Sequence, residues 1–147
     1  MNYSNKNMKS NFYLLTFLLI IFFTINGYAA ERKKYNFNSE WRLQVGDFPQ
    51  AKKPDFKDSS WKQVTLPHAF NEDEAFRISI EQHTDTVVWY RKHFRIEELS
   101  GKKVFVEFEG VRQGGEFFLN GQYLGLHENG LMAVAFDLTP YMKEGDN

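Results

Sequence analysis

The sequence predicts an all-β domain, built as a sandwich or barrel of short strands. Segments in which apolar and polar residues alternate recur along residues 41–138, and turn-forming residues separate them. No stretch of useful length repeats apolar residues at the 3.6-residue period of a helix. An Asn120-Gly121 pair between two strand-like segments is the typical sequence of a tight β-hairpin. Together these three observations are typical of β-sandwiches and β-barrels.

The first half of this domain contains two short predicted strands. Trp41–Val45 alternates, which directs its first, third and fifth residues, the last of them Val45, inward. Residues 48–60 are mostly polar and contain two prolines, so we expect a connecting loop that ends in a turn. Trp61–Leu66 is the second strand, and Pro67 ends it because proline cannot donate a hydrogen bond to a sheet.

The second half is richer in strands. The segment 87–96 is dense in aromatic and β-branched residues, which predicts a central strand. The following strand directs Val104, Val106 and Phe108 to one face. After a flexible or bulged corner at residues 113–115, the remaining predicted strands are 116–119 and 122–126, which form the hairpin, and 133–138. Residues 145–147 are predicted as a turn that feeds a further strand. We therefore expect a sheet that lacks its last strand or strands, in a fragment of a longer chain.

The N-terminus has the three-part layout of a secretory signal peptide. Lys6 and Lys9 precede an almost wholly apolar run, residues 12–25, and small residues follow at Gly27 and Ala29. Cleavage after Ala29 would leave residues 30–147 as one exported domain, periplasmic or extracellular in a bacterium. The alternative is a membrane anchor, but the run is shorter than the roughly 18–20 apolar residues of a bilayer span. The chain has no cysteine, so neither a disulfide nor a lipid on an N-terminal cysteine is available.

The composition excludes some partners. Eighteen basic and nineteen acidic residues give a net charge of −1, whereas nucleic-acid binding requires a concentrated positive face. The four histidines, His68, His83, His93 and His127, lack the close spacing of metal ligands, and no cysteine supports them. We expect packed or surface imidazoles and no metal or other cofactor. Neither a nucleophile elbow nor a phosphate-binding glycine loop occurs.

Two groups of carboxylates could support glycosidic chemistry, which uses a pair of them. Glu107 and Glu109 lie two residues apart on one predicted strand, so their Cα atoms would be about 6.5–7 Å apart. Alternation along the strand already explains both as an outer solvated face, and we favour that interpretation. The acidic residues 72–74 belong to a long excursion, Asn71–Thr86, that is the least strand-like part of the domain. We expect a solvated loop there, with polar contact to a sugar as the alternative.

Three tryptophans could stack on a sugar ring or pack in the core. Trp41 and Trp61 fall on inward positions of their strands, which favours the core. For Trp89 both interpretations remain open, because its strand has no clean polar face.

Several phrases of the sequence occur in an order that resembles the N-terminal sugar-binding domain of glycoside hydrolase family 2, the family of the β-galactosidases. In chain order the phrases are Trp61 followed by Leu66-Pro67-His68, Trp89-Tyr90-Arg91-Lys92 with Phe94, Phe108-Glu109-Gly110-Val111, Leu119-Asn120-Gly121 with Gly125, and Asp137-Leu138-Thr139 with Tyr141. Each phrase alone is weak, but the ordered set is specific and spans about residues 41–147.

This resemblance implies a jelly-roll sandwich of the galactose-binding-domain-like type. In that family an immunoglobulin-like domain and a TIM barrel follow the sandwich, and the two catalytic glutamates lie in the barrel. No segment of this chain matches the barrel, so the resemblance implies no catalytic residue here. In some members the loop before the Trp-Tyr phrase reaches the rim of the active site. This places Asn71, Glu72 and Asp85 near the sugar, although Val87-Val88 stand where the family more commonly has a glycine.

Three hypotheses about function follow. The first is the non-catalytic sugar-binding domain of an exported, β-galactosidase-like hydrolase of O-glycosyl bonds, which packs on the downstream barrel and shapes its pocket around a β-glycoside. The second is a free carbohydrate-binding module that holds a glycan by aromatic stacking. The third is a purely structural sandwich that contacts no sugar.

Overall fold

The computed structural model describes residues 32–71 and 86–147, and residues 36–147 form one compact unit. The predicted signal peptide lies outside the described residues. The elements are nine strands and one short 3₁₀ helix within the described ranges: β1 Trp41–Val45, a 3₁₀ helix Pro49–Lys52, β2 Lys62–Val64, β3 Val88–Arg91, β4 Arg95–Ile96, β5 Phe105–Phe108, β6 Gly115–Leu119, β7 Gln122–His127, β8 Val134–Asp137 and β9 Gly145–Asp146. No helix in these ranges has the length and apolar content needed to cross a membrane.

The first sheet has the order β2-β1-β3, and both neighbours are antiparallel to β1. Val64 pairs with Trp41 at the start of β1, whereas Val88 pairs with Val45 at its end. Strands β2 and β3 therefore run parallel to each other, and the connection between them is a crossover rather than a hairpin. The prediction that the segment 87–96 forms one central strand is wrong, because β1 occupies the centre and the segment divides into β3 and β4.

The other strands form antiparallel pairs: β5 with β8, β6 with β7, and β4 with β9. The last pair corrects a second prediction, since residues 145–147 were expected to form a turn. Instead Arg95 pairs with Asp146 and Ile96 with Gly145. Asn147 continues the pairing, because its backbone exchanges hydrogen bonds of 2.9 and 3.1 Å with Phe94.

The core lies between the first sheet and the β5–β8 pair. Trp41, Leu43 and Val64 are buried on one face of the first sheet. The Trp41 ring lies edge-on to Phe108 of β5, with centroids 6.2 Å apart. Phe117 of β6 extends this cluster, at 5.0 Å from Phe108 and 4.7 Å from Phe136. Two β-layers that bury aromatic and aliphatic side chains between them form a β-sandwich, as the alternating pattern predicts.

Most predicted inward positions are confirmed. Trp41 and Leu43 are buried, and Val104, Val106 and Phe108 are more buried than the residues between them. Val45 is the exception, at 44% exposed. It stands at the end of β1, where Gly46 already turns the chain at φ 122°. The alternating pattern does not predict this exposure, because it does not show where a strand ends.

The second face of the first sheet is covered by the segment 48–61. The sequence predicts residues 48–60 only as a polar loop and Trp61 as the start of a strand. The 3₁₀ helix of this segment buries Ala51, and the end of the segment buries Trp61. The Trp61 ring contacts Phe48 and Phe56, with centroids 5.9 and 5.5 Å apart. This segment is therefore a packed cover with its own small aromatic cluster, rather than a solvated connection.

The Asn-Gly hairpin is confirmed. Asn120 and Gly121 have φ values of 51° and 82°, as a type I′ turn requires, and Leu119 pairs with Gln122 on either side. The register of the β6–β7 pair shifts between Phe117 and Phe118, which pair with Gly125 and Tyr123. Phe117 joins the core, whereas Phe118 stacks on Trp89 with ring centroids 6.3 Å apart.

Replacement of Gly121 by alanine should destabilise the domain by about 1–2 kcal/mol, because a Cβ disfavours a left-handed backbone. The new Cβ would also lie 3.4 Å from Pro54 Cδ, which leaves no room for the turn to relax toward residue 54. Urea unfolding measures the change in free energy.

Gly110→Ala is the matched control, because a Cβ there would lie 3.9 Å from its nearest neighbour, the Gly130 carbonyl oxygen, and the Gly110 backbone does not have a positive φ. We expect a change within about 0.5 kcal/mol for the control. Equal losses for the two variants would show that the turn conformation is not what Gly121 supplies.

Candidate functional site

Of the three residues predicted to contact sugar, Asn71 lies in the described part of the chain, whereas Glu72 and Asp85 lie outside it. Asn71 is half-buried and lies in a turn shortly after Pro67 and His68. Its amide offers both a donor and an acceptor, which suits vicinal sugar hydroxyls. The structure therefore provides the position and surroundings of one predicted contact residue.

The chain leading to Asn71 is fixed to the first sheet. Leu66 donates its backbone N–H to the Asn38 carbonyl at 2.8 Å. The Tyr90 hydroxyl of β3 lies 3.1 Å from His68 Nδ1 and 3.5 Å from the His68 carbonyl oxygen. Because Tyr90 also packs against the core, these contacts tie the approach to Asn71 to the core of the domain.

The far end of the same connection is fixed as well. Gly46 donates its backbone N–H to the Val87 carbonyl at 2.8 Å, directly before β3 begins. The Thr86 hydroxyl lies 3.4 Å from the same oxygen. Both described ends of the crossover are thus anchored beside β1. Rigid ends reduce the entropy that a connecting segment loses when it contacts a ligand.

A buried ion-pair cluster centres on Asp58, which is 3% exposed. Its carboxylate accepts hydrogen bonds from Arg42 of β1, from Arg91 Nε of β3 at 2.8 Å, and from His93 Nε2 at 2.8 Å. Arg91 also donates to the carbonyl oxygens of Ala51 and Lys53. One carboxylate thereby links two strands of the first sheet to the segment that covers them.

The pKa of Asp58 results from two opposing effects. Burial raises it, because the charged form loses its hydration. Hydrogen bonds from Arg91, His93 and Arg42, together with the positive charge of His93, outweigh burial and lower the pKa to about 2. Asp58 is therefore ionised at neutral pH and surrounded by bases, which suits a structural role rather than proton transfer.

Sequence reasoning missed this cluster. Asp58 lies in an Asp-Ser-Ser stretch that indicates a turn, Arg42 lies at an outward position of its strand, and Arg91 lies on a strand whose two faces are both mixed. The sequence signal is weak, because an arginine on each of two strands, Arg42 and Arg91, does not identify the acidic partner. Only the covering segment, which the sequence did not reveal, brings Asp58 over that face.

The carboxylate pair that the sequence offers for glycosidic chemistry faces solvent. Glu107 and Glu109 are exposed, and they alternate with half-buried Val106 and Phe108. Their interpretation as a solvated outer face is confirmed. Within residues 32–71 and 86–147, no cluster of three or more histidine, aspartate or glutamate side chains is arranged to hold a metal ion.

The described histidines each contact a protein group. His68 contacts Tyr90, His93 contacts Asp58, and His127 Nε2 lies 3.1 Å from the Met132 carbonyl oxygen. These contacts agree with the predicted packed or surface imidazoles. His83 lies outside the described residues.

The tryptophans serve the core. Trp41 and Trp61 are buried, as predicted. Trp89, which the sequence left open, is half-buried, and Phe118 occupies one face of its ring at an interplanar angle of 27°. Trp41 and Trp61 are therefore not open stacking platforms, and one face of the Trp89 ring is already occupied.

The arrangement defines a framework domain: a β-sandwich whose buried carboxylate is held by three bases and whose crossover is anchored at both described ends. Residues 36–147 match the family described as the sugar-binding domain of family 2 glycosyl hydrolases. The chain belongs to this family, and the match corresponds to its non-catalytic domain. The predicted resemblance and the predicted fold class are both confirmed.

Individual relatives agree. The chain is 38% identical over 126 residues to a β-glucuronidase of Formosa agariphila, covering 80% of this chain and 13% of that protein. It is 37% identical over 124 residues to a β-galactosidase of Bacteroides ovatus, covering 78% and 14%. A solved β-glucuronidase from glycoside hydrolase family 2 superposes with a TM-score of 0.73 at 36% identity, covering 82% and 14%. The chain thus spans 13–14% of the length of these relatives.

Loss of the Asp58 charge should weaken the fold in a pH-dependent way. Its folded pKa lies below the ordinary value of 3.8, so its stabilisation is complete above about pH 4 and is lost as the pH falls toward 2. The shift corresponds to about 2 kcal/mol. Over this pH range the free energy of unfolding of wild type should fall by this amount relative to that of Asp58→Asn. Urea titrations at a series of pH values measure both.

Asp55→Asn is the matched control, because Asp55 is an exposed neighbour in the same segment. Its stability should follow wild type across the whole range. A parallel pH dependence in wild type and Asp58→Asn would contradict the assigned role of the Asp58 charge.

Proposed function

We propose that this chain is the N-terminal, non-catalytic part of an exported family 2 glycoside hydrolase that cleaves O-glycosyl bonds of β-glycosides. The observation that supports this proposal is the family match over residues 36–147. This chain covers only 13–14% of the length of similar enzymes. In this proposal the catalytic glutamates belong to a barrel elsewhere in the same protein, reached through an immunoglobulin-like domain. The chain would act on catalysis by packing against that barrel and shaping one side of its pocket.

The substrate class is a β-linked sugar or uronate. Similar proteins carry the names β-glucuronidase and β-galactosidase at nearly equal identity, 38% and 37%. We therefore propose that the parent enzyme accepts a pyranoside of one of these two types. The residues that distinguish a 6-carboxylate from a 6-hydroxyl would lie mainly in the barrel.

The part of this domain that we assign to the substrate is the crossover between β2 and β3. Its described ends are anchored by His68–Tyr90 and Gly46–Val87 contacts. Asn71 stands directly after the first of these anchors, and Glu72 and Asp85 complete the proposed set. An amide and two carboxylates supply hydrogen-bonding groups for hydroxyls but no nucleophile for hydrolysis.

A purely structural sandwich is the second candidate function. The packing of Trp41, Trp61 and Trp89 against other rings favours it over a free carbohydrate-binding module, which would present open aromatic faces. The two candidates differ at Asn71, because a structural domain would not require its amide for turnover.

Asn71→Ala in the complete gene product should lower kcat/KM roughly 10-fold, since removal of one hydrogen bond to a sugar hydroxyl costs about 1–1.5 kcal/mol. The assay compares aryl β-glucuronide and aryl β-galactoside hydrolysis. Asn38→Ala is the control, because that residue is exposed and the structure uses its backbone carbonyl rather than its side chain.

The melting temperature of both variants should stay close to that of wild type. A kcat/KM for Asn71→Ala equal to that of the control would remove this residue from the substrate site and favour the structural candidate. Complete absence of glycosidase activity in the wild-type gene product would overturn the parent-enzyme proposal itself.

Export predicts a specific mature end. When the gene is expressed in a Gram-negative bacterium, N-terminal sequencing of the processed protein should begin at Ala30, because small residues stand at positions 27 and 29. An uncleaved chain in the membrane fraction would support the anchor instead, and an uncleaved chain in the cytoplasm would refute export.

A further inference from the structure

Two Asn-Gly pairs in the described residues have contrasting surroundings: Asn120-Gly121 and Asn129-Gly130. An asparagine followed by glycine can lose its side-chain amide without an enzyme. The glycine backbone nitrogen attacks the asparagine Cγ, and a missing Cβ at the second residue leaves that approach unhindered. Local structure then decides which pair reacts.

The Asn120 amide is held in place. Its Nδ2 donates to the Tyr141 carbonyl oxygen and to Asn147 Oδ1, both at 2.9 Å. The residue is half-buried, and its backbone is fixed in the β6–β7 turn. Expulsion of this nitrogen as ammonia requires both hydrogen bonds to break while the hairpin holds the backbone still.

The Asn129 amide is arranged differently. The residue is exposed, and its Oδ1 accepts a hydrogen bond from the Leu131 backbone N–H at 3.0 Å. This bond closes an Asx turn between the Asn129 side chain and the backbone two residues further on. The donor also sits at the oxygen on which negative charge develops when that nitrogen attacks.

We propose that Asn129 is a site of spontaneous deamidation in the folded protein and that Asn120 is protected. The Gly130 nitrogen forms a bond to Cγ and loses its proton, and the side-chain nitrogen leaves as ammonia, which gives a succinimide. One water molecule then opens the ring to aspartate or to isoaspartate. Water is the sole co-reactant, and nothing is oxidised or reduced.

Deamidation at Asn129 would add charge to an exposed apolar loop. Leu131 is 96% exposed and Met132 is 60% exposed, so this loop tip is strongly apolar. Conversion adds a carboxylate beside Glu128, and the isoaspartate form also lengthens the main chain by one methylene. In that form the Asn129 carbonyl, which accepts the Met132 N–H at 3.4 Å, leaves the main chain and becomes part of a free carboxylate.

The test is incubation of the full-length protein at mildly alkaline pH, followed by digestion after glutamate and mass spectrometry. Cleavage at Glu116, Glu128 and Glu144 places Asn120 and Asn129 on separate peptides, 117–128 and 129–144. Conversion at Asn129 should exceed that at Asn120 by at least ~10-fold, because two hydrogen bonds must open at Asn120 first. In denaturant the two rates should become similar.

A folded-state ratio near one, or no conversion at Asn129 when the denatured chain converts, would overturn the proposal. Two substitutions test the role of the Leu131 N–H. Leu131→Pro removes the donor and should slow conversion at Asn129, whereas Leu131→Ala keeps it and should convert as wild type does. Equal rates in the two variants would show that this donor does not promote the reaction.

Discussion

The buried carboxylate of Asp58 is the interaction on which the rest of the domain depends. The first sheet presents two arginines, Arg42 and Arg91, on the face away from the aromatic core. Asp58 pairs with both of them and fixes the covering segment that contains Ala51 and Trp61. Such a cluster contributes less net free energy than its charges suggest, because each group loses hydration. Its value lies in geometry, since removal of the carboxylate would leave two buried or half-buried cations beneath a segment that has lost its attachment.

This geometry separates the parts of the domain by role. The sandwich core and the Asp58 cluster hold β1, β2 and β3 in register, and the β2–β3 crossover is then anchored at His68 and Val87 by hydrogen bonds to that sheet. The proposed sugar-contacting residues lie on the crossover rather than on the sheet. The sheet thus supports the connection on which we place the proposed substrate contacts, whereas the exposed glutamates Glu107 and Glu109 lie on the solvated outer face of β5 and its end.

The sequence predicted what depends on local pattern and missed what depends on distant contacts. Alternation located β1, β5 and β8, and the Asn120-Gly121 pair located the hairpin, because side-chain period and turn conformation are local properties. The order of the first sheet could not be predicted, since composition placed a central strand at residues 87–96. The Asp58 cluster also escaped notice, because its partners are 16, 33 and 35 residues away. The candidate site was proposed from an ordered set of phrases that resembles a family rather than from chemistry, since the carboxylate pair of Glu107 and Glu109 lies on a solvated face.

The central claim is that this domain borders the substrate of a family 2 glycosidase without catalysing its cleavage. A structure of the complete gene product with a mechanism-based β-glycoside inhibitor tests this claim most directly. The account predicts a covalent bond to a glutamate outside residues 36–147 and an Asn71 amide within hydrogen-bonding distance, about 3 Å, of a sugar hydroxyl. A labelled carboxylate within this domain, or a bound sugar that no residue of this domain approaches, would contradict it.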